Sequence, residues 1–515
     1  MRNHVLTTLL LASLIAFGVP AHAADKPAGA DKPAAEKSEA KPIPEERAVH
    51  TQHSVDVDGK RIAYTATAGT LLIRDDDAKP IASVFYVAYT ADGTKDAGKR
   101  PVTFLYNGGP GSSSVWLHMG SVGPMRITTA SPDATAPAPY ALVPNRYSLL
   151  DKTDLVFIDA VGTGFSRPVG KAEDKDFWGV DQDLDAFAKA IIRYVDMNKR
   201  WNSPKFLFGE SYGTTRSAGL VNTLQQRGMA INGVVLVSSI LNYGARFPGL
   251  DQVYIGYLPS YAAIAWYHDK LANKPAELGP FLDEVRAFAR GEYAAALARG
   301  QDLPKAEEDA IAQKLSRYTG LSVQYLEEAD LRVDPARFRK ELLRDQRRTL
   351  GRYDARFEGI DLDAAGEHPD YDASDTGIAG AFVAAFHDYL AGELKYTSDL
   401  DYRPTYYKII RAWDWHHKLP GQQRPLLMAY TAGDLARAMR ENPHLKVFSA
   451  NGYFDLATPF FATEYDLGHM QLDPSLRGNL SFGYYPSGHM IYLNVDALKQ
   501  LKGDLAGFYD RATAH

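Results

Sequence analysis

The chain has 515 residues, of which 45% are hydrophobic, 23% charged and 11% aromatic. This composition is that of an ordinary globular protein and excludes collagen-like, coiled-coil and wholly disordered chains. The formal net charge is −6, which argues against nucleic-acid binding because such binding needs a basic surface. The chain contains no cysteine, so disulfides, thiolate metal sites and a cysteine nucleophile are excluded.

The first residues have the layout of a secretory signal peptide. Arg2 is the only charged residue before Asp25, the run from Val5 to Val19 carries no charge, and small residues surround Ala23. This run is shorter than the ~20 apolar residues that a membrane-spanning helix needs. We therefore predict that residues 1–23 are cleaved off, leaving a periplasmic or secreted protein without a membrane anchor. Because disulfides are common in proteins of the eukaryotic secretory route, an exported chain without cysteine is more typical of the bacterial periplasm.

After the predicted signal peptide, the residue composition first indicates a linker and then a folded domain. Residues 24–47 are mostly Ala, Lys, Glu and Pro without periodicity, which predicts a disordered linker. Short apolar segments then predict strands, and Leu184–Tyr194 has apolar residues at helical spacing. The predicted strands are Ser54–Asp58, Arg61–Thr67, Ser83–Thr90, Val102–Tyr106, Asp154–Asp159, Lys205–Phe208, Val234–Ser238, Pro425–Tyr430 and Lys446–Ala450. Alternating strands and helices indicate an α/β fold whose mostly parallel sheet is flanked by helices.

The middle of the chain has helical patterns in place of strands. Amphipathic spacing predicts helices near Phe281–Leu297 and Ile378–Leu394, and Asp334-Pro335 is a cap and first-turn pair that opens another. We therefore predict a helical cap insertion at residues 247–400, between two parts of one core at residues 48–246 and 401–515. A last helix is predicted over Val495–Tyr509.

The pentapeptide Gly209-Glu210-Ser211-Tyr212-Gly213 follows a predicted strand directly and opens a helix. In this context the pattern G-x-S-x-G is the nucleophile elbow, which raises a serine hydroxyl above the strand ends. The pattern alone also occurs in ordinary tight turns, so the prediction depends on its position. Because a serine hydroxyl is a poor nucleophile without a base, a histidine and an acid should follow later in the chain.

Two later segments supply those groups in the expected order. Asp455 follows the predicted strand Lys446–Ala450, and His489 lies in a Gly-His-Met segment before the last helix. We predict Ser211 as the nucleophile, His489 as the general base and acid, and Asp455 as the group that orients the imidazole and stabilises its cation. His469 is the alternative, but no glycine-rich loop leads on from it to a closing helix.

The developing oxyanion needs backbone N–H donors. One is predicted from Tyr212, the residue after the nucleophile, and the other from the glycine-rich loop Asn107–Gly111 that follows the strand Val102–Tyr106. This loop lacks the Lys-Ser/Thr ending of a phosphate-binding loop and the spacing of a dinucleotide site. A tight structural turn is the alternative reading of the loop. We predict neither a metal nor a cofactor.

Four motifs resemble segments of the serine carboxypeptidase family, the relatives of yeast carboxypeptidase Y. They are Asn-Gly-Gly-Pro-Gly-Ser-Ser-Ser at 107–114, Gly-Glu-Ser-Tyr-Gly at 209–213, Asn-Gly-Tyr-Phe-Asp at 451–455 and Gly-His-Met at 488–490. The resemblance covers roughly residues 100–245 and 425–510. It implies an α/β-hydrolase fold with a helical cap, and removal of single residues from the C-termini of peptides.

The resemblance also implies roles for individual residues. The oxyanion would be held by the N–H groups of Gly109 and Tyr212. The terminal carboxylate of the substrate would be bound by Asn107 and Glu210 with help from the Gly108 backbone. Because a carboxyl group must be protonated to donate a hydrogen bond to a carboxylate, the family's activity favours acid pH.

Met490 would line the site beside His489. The chain departs from the resemblance at Ser121, where relatives carry a second glutamate paired with the one beside the serine. We therefore predict weaker selection for a free carboxylate and a weaker preference for acid pH.

Two other functions stay open at this point. An esterase or an acyltransferase could use the same scaffold, because the motifs do not define the substrate. A non-catalytic peptide-binding protein is the third possibility, and the intact set of Ser211, Asp455 and His489 argues against it. Peptides are the predicted partners, and no feature of the sequence predicts an oligomeric state.

Overall fold

The computed structural model describes residues 40–94 and 96–514. The predicted signal peptide (1–23) and most of the predicted linker (24–39) lie outside the described residues. The strands are β1 (Ala48–Val57), β2 (Lys60–Arg74), β3 (Pro80–Ala91), β4 (Val102–Tyr106), β5 (Met125–Ile127), β6 (Leu142–Pro144), β7 (Asp154–Ile158), β8 (Arg167–Pro168), β9 (Lys205–Glu210), β10 (Gly233–Val237), β11 (Thr349–Leu350), β12 (Glu358–Gly359), β13 (Lys446–Gly452) and β14 (Leu480–Tyr485).

One ten-stranded sheet organises the chain. Its order is β1-β2-β3-β7-β4-β9-β10-β13-β14, with β8 paired to β3. The strands from β7 to β14 in this order run parallel, whereas β1, β2 and β3 pair antiparallel. Every residue of β4, β7, β9 and β10 is buried. Such complete burial is expected for parallel strands covered on both faces.

Helices supply that cover. They are α1 (Val115–Gly120), α2 (Val180–Met197), α3 (Tyr212–Gln226), α4 (Gln252–Tyr267), α5 (Leu278–Phe288), α6 (Ala294–Arg299), α7 (Lys305–Thr319), α8 (Val323–Glu328), α9 (Pro335–Glu341), α10 (Ala373–Gly392), α11 (Tyr407–Ala412), α12 (Ala432–Glu441), α13 (Phe460–Gly468) and α14 (Val495–Thr513). Helices α2, α3 and α12 share one hydrophobic core with the sheet. Helices α1, α10 and α14 share another with its opposite face. This architecture is the α/β-hydrolase fold.

The inserted region builds a third hydrophobic core. Helices α4 to α9 bury side chains such as Tyr261, Leu282 and Phe338 against one another and against α13. Helix α9 begins where the sequence predicts, because Asp334 accepts the N–H groups of Ala336 at 2.8 Å and Arg337 at 3.1 Å. Helix α10, in contrast, packs with α1 against the sheet. The separate helical cluster therefore ends before α10.

The structure differs from the sequence predictions at the start of the described chain. Residues 40–47, which we assigned to a disordered linker, contact the core. The backbone of Lys41 exchanges two hydrogen bonds with Gly170. The Glu46 carboxylate pairs with Arg193 at 2.7 Å and accepts the N–H of Leu72 at 2.7 Å. The linker prediction therefore extended too far, because lysines and glutamates that look like linker residues make specific ion pairs here.

The prediction of a strand over Pro425–Tyr430 is wrong. Strand β10 pairs directly with β13, so the sheet has no place between them for another strand. Leu426 and Tyr430 make only isolated bridges, to His417 and Asn242. The edge strand β14 was not predicted, and its Phe482 is half exposed rather than buried.

A buried histidine joins three elements outside the sheet. His417 Nδ1 lies 2.6 Å from Asp181 Oδ1 in α2, and Nε2 lies 2.8 Å from Asp434 Oδ2 in α12. Burial alone lowers the pKa of this imidazole, but the two carboxylates outweigh it and raise the pKa of His417 to about 9. His417 is therefore a cation that holds α2 and α12 together.

Candidate active site

The predicted nucleophile lies in the turn between β9 and α3. Ser211 has φ of +61° and ψ of −130°, a conformation that costs a non-glycine residue about 1–3 kcal/mol. A Cβ added to Gly209 would lie 2.1 Å from the Gly213 carbonyl oxygen, and one added to Gly213 would lie 2.8 Å from the Tyr106 carbonyl oxygen. Both positions thus require glycine, because the neighbouring backbone passes so close. The turn holds Ser211 at the carboxyl edge of the sheet.

Asp455 and His489 form a buried pair. Oδ2 of Asp455 lies 2.7 Å from Nδ1 of His489, and the two side chains are 1% and 2% exposed. Burial alone would lower the pKa of the imidazole, but the charge and hydrogen bond of Asp455 raise the pKa of His489 above its ordinary value. Oδ1 of Asp455 accepts the N–H groups of Ala457 at 2.7 Å and Thr458 at 3.0 Å. These bonds fix the carboxylate with Oδ2 toward the imidazole.

Thr458 is a site residue that the sequence motifs did not single out. Its hydroxyl lies 2.7 Å from Asp455 Oδ2, 3.1 Å from His489 Nδ1 and 2.9 Å from the Ser238 carbonyl oxygen. The spacing in the sequence could have indicated Thr458, because the hydroxyl of a threonine three residues after an aspartate can hydrogen-bond to the aspartate carboxylate. Thr458 thereby helps to orient the acid beside the histidine.

Ser211 and His489 line the same cavity. Within the part of the chain that the structure describes, the side-chain hydrogen bonds of His489 go to Asp455 and Thr458, and none joins it to the Ser211 hydroxyl. In enzymes without substrate, such bonds are often long and tighten only when the substrate binds. The fold thus brings the hydroxyl and the imidazole to one place, and their direct hydrogen bond stays a prediction.

The glycine-rich loop after β4 lies against the start of α3. A Cβ added to Gly108 would lie 2.4 Å from the backbone nitrogen of Tyr212, so no side chain fits there. Gly109 has φ of +103° and lines the cavity with Ser211. The 15-residue helix α3 directs the positive end of its dipole to the same place. The two predicted oxyanion donors, Gly109 and Tyr212, therefore come from adjacent segments, and their role stays a prediction.

Asn107 and Glu210 are hydrogen-bonded in the wall of the cavity. Asn107 Nδ2 donates to Glu210 Oε1 at 2.7 Å, and Asn107 Oδ1 accepts the N–H of Leu117 at 2.9 Å. Both Asn107 and Glu210 are buried. Burial raises the pKa of Glu210 to about 7. Below that pH the carboxyl group carries a proton and can donate a hydrogen bond to an anion.

A buried ion pair between α2 and α3 holds this wall in place. Arg216 pairs with Asp183 through bonds of 2.7 Å and 3.2 Å, and its Nη1 donates to the Asn107 carbonyl oxygen at 2.8 Å. Arg216 is 1% exposed. Sequence reasoning missed this pair because a single arginine in a helix carries no pattern that indicates burial.

Comparison with known proteins shows a similarity to one family over part of the chain. A sequence model described as "Serine carboxypeptidase" matches residues 65–240, which include the loop after β4 and the Ser211 turn. The pheromone-processing carboxypeptidase KEX1 of Saccharomyces cerevisiae is 31% identical over 135 residues, 25% of this chain and 17% of KEX1. The chain is thus similar to the serine carboxypeptidase family over about a third of its length. The sequence match thus spans about a sixth of the curated relative, so activity and substrates are matters for proposal.

A solved structure supports the fold of this chain. The crystal structure of KEX1(Δ)P, a prohormone-processing carboxypeptidase from Saccharomyces cerevisiae, aligns with a TM-score of 0.50 at 15% identity. The alignment covers 87% of this chain and 91% of that chain. At this identity the likeness shows the fold alone, and it confirms the α/β-hydrolase fold.

Residues just before α10 and at its start complete the cavity. The Tyr353 carbonyl oxygen accepts the N–H of His489 at 2.6 Å, and the Tyr353 ring centre lies 5.2 Å from the imidazole centre. Arg352 and Asp375 also line the cavity and bring a cation and a carboxyl group to it. The sequence had no signal for these residues, because they are isolated side chains in a region without motifs.

Met490 is the last of the predicted site residues, and Ser121 is the position at which the chain departs from the family resemblance. Met490 lines the cavity beside His489 and is buried. Ser121 is buried, and its hydroxyl donates to the Leu117 carbonyl oxygen within α1. Across residues 40–94 and 96–514, no cluster of three or more His, Asp or Glu side chains is arranged to hold a metal ion. The same residues include no helix long and apolar enough to cross a membrane.

Proposed function

We propose that the protein is a serine carboxypeptidase that removes residues from the C-termini of peptides through an acyl-enzyme. The proposal is carried by one observation: a single cavity is lined by Ser211, His489 and the buried pair Asn107–Glu210. The match of residues 65–240 to the serine carboxypeptidase family supports the reaction class. A buried pair suited to hold a carboxylate beside the nucleophile supports action at the end of a peptide rather than within it.

In the proposed reaction, the Ser211 hydroxyl attacks the scissile carbonyl carbon while His489 takes the hydroxyl proton, and Asp455 stabilises the imidazolium. The N–H groups of Gly109 and Tyr212 hold the oxyanion. The imidazolium then gives its proton to the leaving amine, the C–N bond breaks, and the terminal residue departs. Water, deprotonated by the same imidazole, attacks the ester and releases the shortened peptide with the serine restored.

Glu210 would give the reaction its end selectivity. Its protonated carboxyl group and the Asn107 amide can both donate to the terminal carboxylate of a peptide. Once Glu210 ionises, two negative charges face each other in a buried site and binding weakens. Since the pKa of Glu210 lies at about 7, selection for a free terminus would persist to near-neutral pH.

Mass spectrometry of a peptide mixture tests the proposal. The wild-type protein should remove residues one at a time from C-terminal ends, and the Ser211→Ala variant should leave the mixture unchanged. Equal rates on peptides with free and amidated C-termini would contradict the exopeptidase proposal. Cleavage of acyl esters without cleavage of peptides would indicate an esterase or acyltransferase, and failure of a fluorophosphonate probe to label Ser211 would indicate a binding protein.

We also propose that the protein is exported to the periplasm or secreted. The support is the signal-peptide pattern of residues 1–23. N-terminal sequencing of the protein from fractionated cells should begin at Ala24. A protein recovered only from the cytoplasm with residue 1 intact would contradict this.

A further inference from the structure

A single arginine lines the candidate active-site cavity. Among the described residues on the cavity walls, Arg352 is the only lysine or arginine, whereas Glu210 and Asp375 bring carboxyl groups. Solvent reaches the Arg352 side chain although protein surrounds most of it. Arg356 pairs with Asp354 at 2.6 Å, but no carboxylate of the described chain pairs with Arg352. A cation without an internal partner therefore faces the space that a substrate would occupy.

The backbone around Arg352 is tied to the segments that carry the predicted acid and histidine. The Arg352 carbonyl oxygen accepts the N–H of Leu456, the residue after the acid, at 3.1 Å. The Tyr353 carbonyl oxygen accepts the N–H of His489 at 2.6 Å. The Arg352 N–H donates to Oδ1 of Asp372, which also caps α10, at 2.8 Å. These bonds fix the base of the arginine side chain beside the predicted catalytic residues.

The guanidinium of Arg352 lies close to the predicted reaction centre. Its carbon is 5.2 Å from the centre of the Tyr353 ring, and that centre is 5.2 Å from the centre of the His489 imidazole. Two steps of 5.2 Å place the guanidinium carbon no more than about 10 Å from the imidazole centre. A residue of extended chain spans about 3.3–3.6 Å. A long side chain on a residue that flanks the scissile bond can therefore reach Arg352.

We propose, given the carboxypeptidase function proposed above, that Arg352 is a specificity-determining residue that binds the side-chain carboxylate of a glutamate or aspartate in the last two residues of the peptide. The guanidinium presents its N–H donors as a planar fork that matches a carboxylate. The same cation repels lysine and arginine side chains, and such like-charge contacts exclude wrong partners.

The position of Arg352 separates it from the pair proposed to hold the terminal carboxylate. Glu210 ends β9, whereas Arg352 is bonded to the segment that follows β13. Strand β10 lies between β9 and β13, and neighbouring strands are about 4.8 Å apart, so the two strand ends are about 10 Å apart. A peptide that places its terminal carboxylate at Glu210 therefore brings a different group to Arg352.

Four peptides with free C-termini test the inference. They share one sequence and carry Glu or Gln at the last or the penultimate position, with Ala at the other. Removal of the terminal residue should be measured at pH 6, where a glutamate side chain is ionised and Glu210 is mostly protonated. We expect the wild-type kcat/KM to be about tenfold higher for Glu than for Gln at one of the two positions.

The variant Arg352→Gln should abolish this preference by lowering kcat/KM for the Glu peptide while the Gln peptide is unchanged. Unchanged cleavage of the Gln peptide also shows that the variant is folded. Arg352→Lys should keep part of the preference, because lysine retains the charge but lacks the fork. The matched control is Arg424→Gln, which removes an exposed arginine that does not line the cavity. It should leave all four rates unchanged.

Several results would overturn the role of Arg352. They are a wild type without a Glu preference, a preference that survives Arg352→Gln, and a preference that falls equally in Arg424→Gln. An equal loss on Glu and Gln peptides in Arg352→Gln would show that the arginine holds the terminal carboxylate or the fold, and would also overturn it. In these cases removal of the terminal residue by the wild type upholds the proposed function. If the wild type removes no terminal residue from any peptide, the proposed function fails, and the role of Arg352 fails with it.

Discussion

Replacing Glu210 by glutamine should remove the pH dependence of carboxylate selection. With a pKa of about 7, Glu210 is about nine-tenths protonated at pH 6 and about one-tenth at pH 8. If only the protonated form admits a terminal carboxylate, the wild-type preference for free over amidated peptides should fall about tenfold between those two pH values. A glutamine amide keeps its donor throughout, so the preference of Glu210→Gln should stay constant.

The measurement is the ratio of kcat/KM for the free and amidated forms of one peptide between pH 5 and 9. Taking the ratio cancels the ionisation of His489, which acts on both substrates. A wild-type ratio that does not change with pH, or an unchanged inflection in Glu210→Gln, would refute the reasoning.

The raised pKa of Glu210 also affects the free energy of unfolding. Ionising this buried group lowers the stability of the fold by about 3 kcal/mol as pH rises from 4.5 to 7. Glu210→Gln should therefore be the more stable protein at pH 8 but not at pH 4.

Two further predictions concern Thr458 beside Asp455, and His417 with its partners Asp181 and Asp434. Thr458→Val should lower kcat about tenfold in steady-state assays with KM unchanged, because Asp455 keeps its backbone donors but loses a hydroxyl partner; a change in KM alone would contradict this. His417→Gln should lose about 3 kcal/mol of unfolding free energy at pH 7 in urea titrations, since Asp181 and Asp434 lose the cation between them. The pKa of His417 is raised to about 9, so its contribution is fully present below pH 6.5 and is lost as pH rises through 9. An equal deficit at pH 7 and pH 10 would contradict it.

The convergence of the site could be predicted because its motifs sit at strand ends. Ser211 follows β9 and Asp455 follows β13, two strands that flank β10. Parallel neighbours end at the same edge of a sheet, so the motifs meet there whatever lies between them in the chain. The role of Gly108 was implied only by the family resemblance, and the structure adds that only glycine permits its close contact with the Tyr212 backbone.

Residues that reach the site from other directions could not be predicted. Tyr353 contacts His489 through a backbone carbonyl, a group that every residue has, so no side-chain pattern marks it. The segment Pro425–Tyr430 has a strand-like pattern, yet its neighbours in the sheet were already paired, and pairing outweighs propensity.

The order of the site along the chain has a consequence for synthesis. The ribosome makes the turn that carries Ser211 first, and His489 follows roughly 280 residues later. Until then the nascent polypeptide has a serine and no base to activate it. Under the proposed mechanism, a growing chain therefore has no complete active site until His489 has been made.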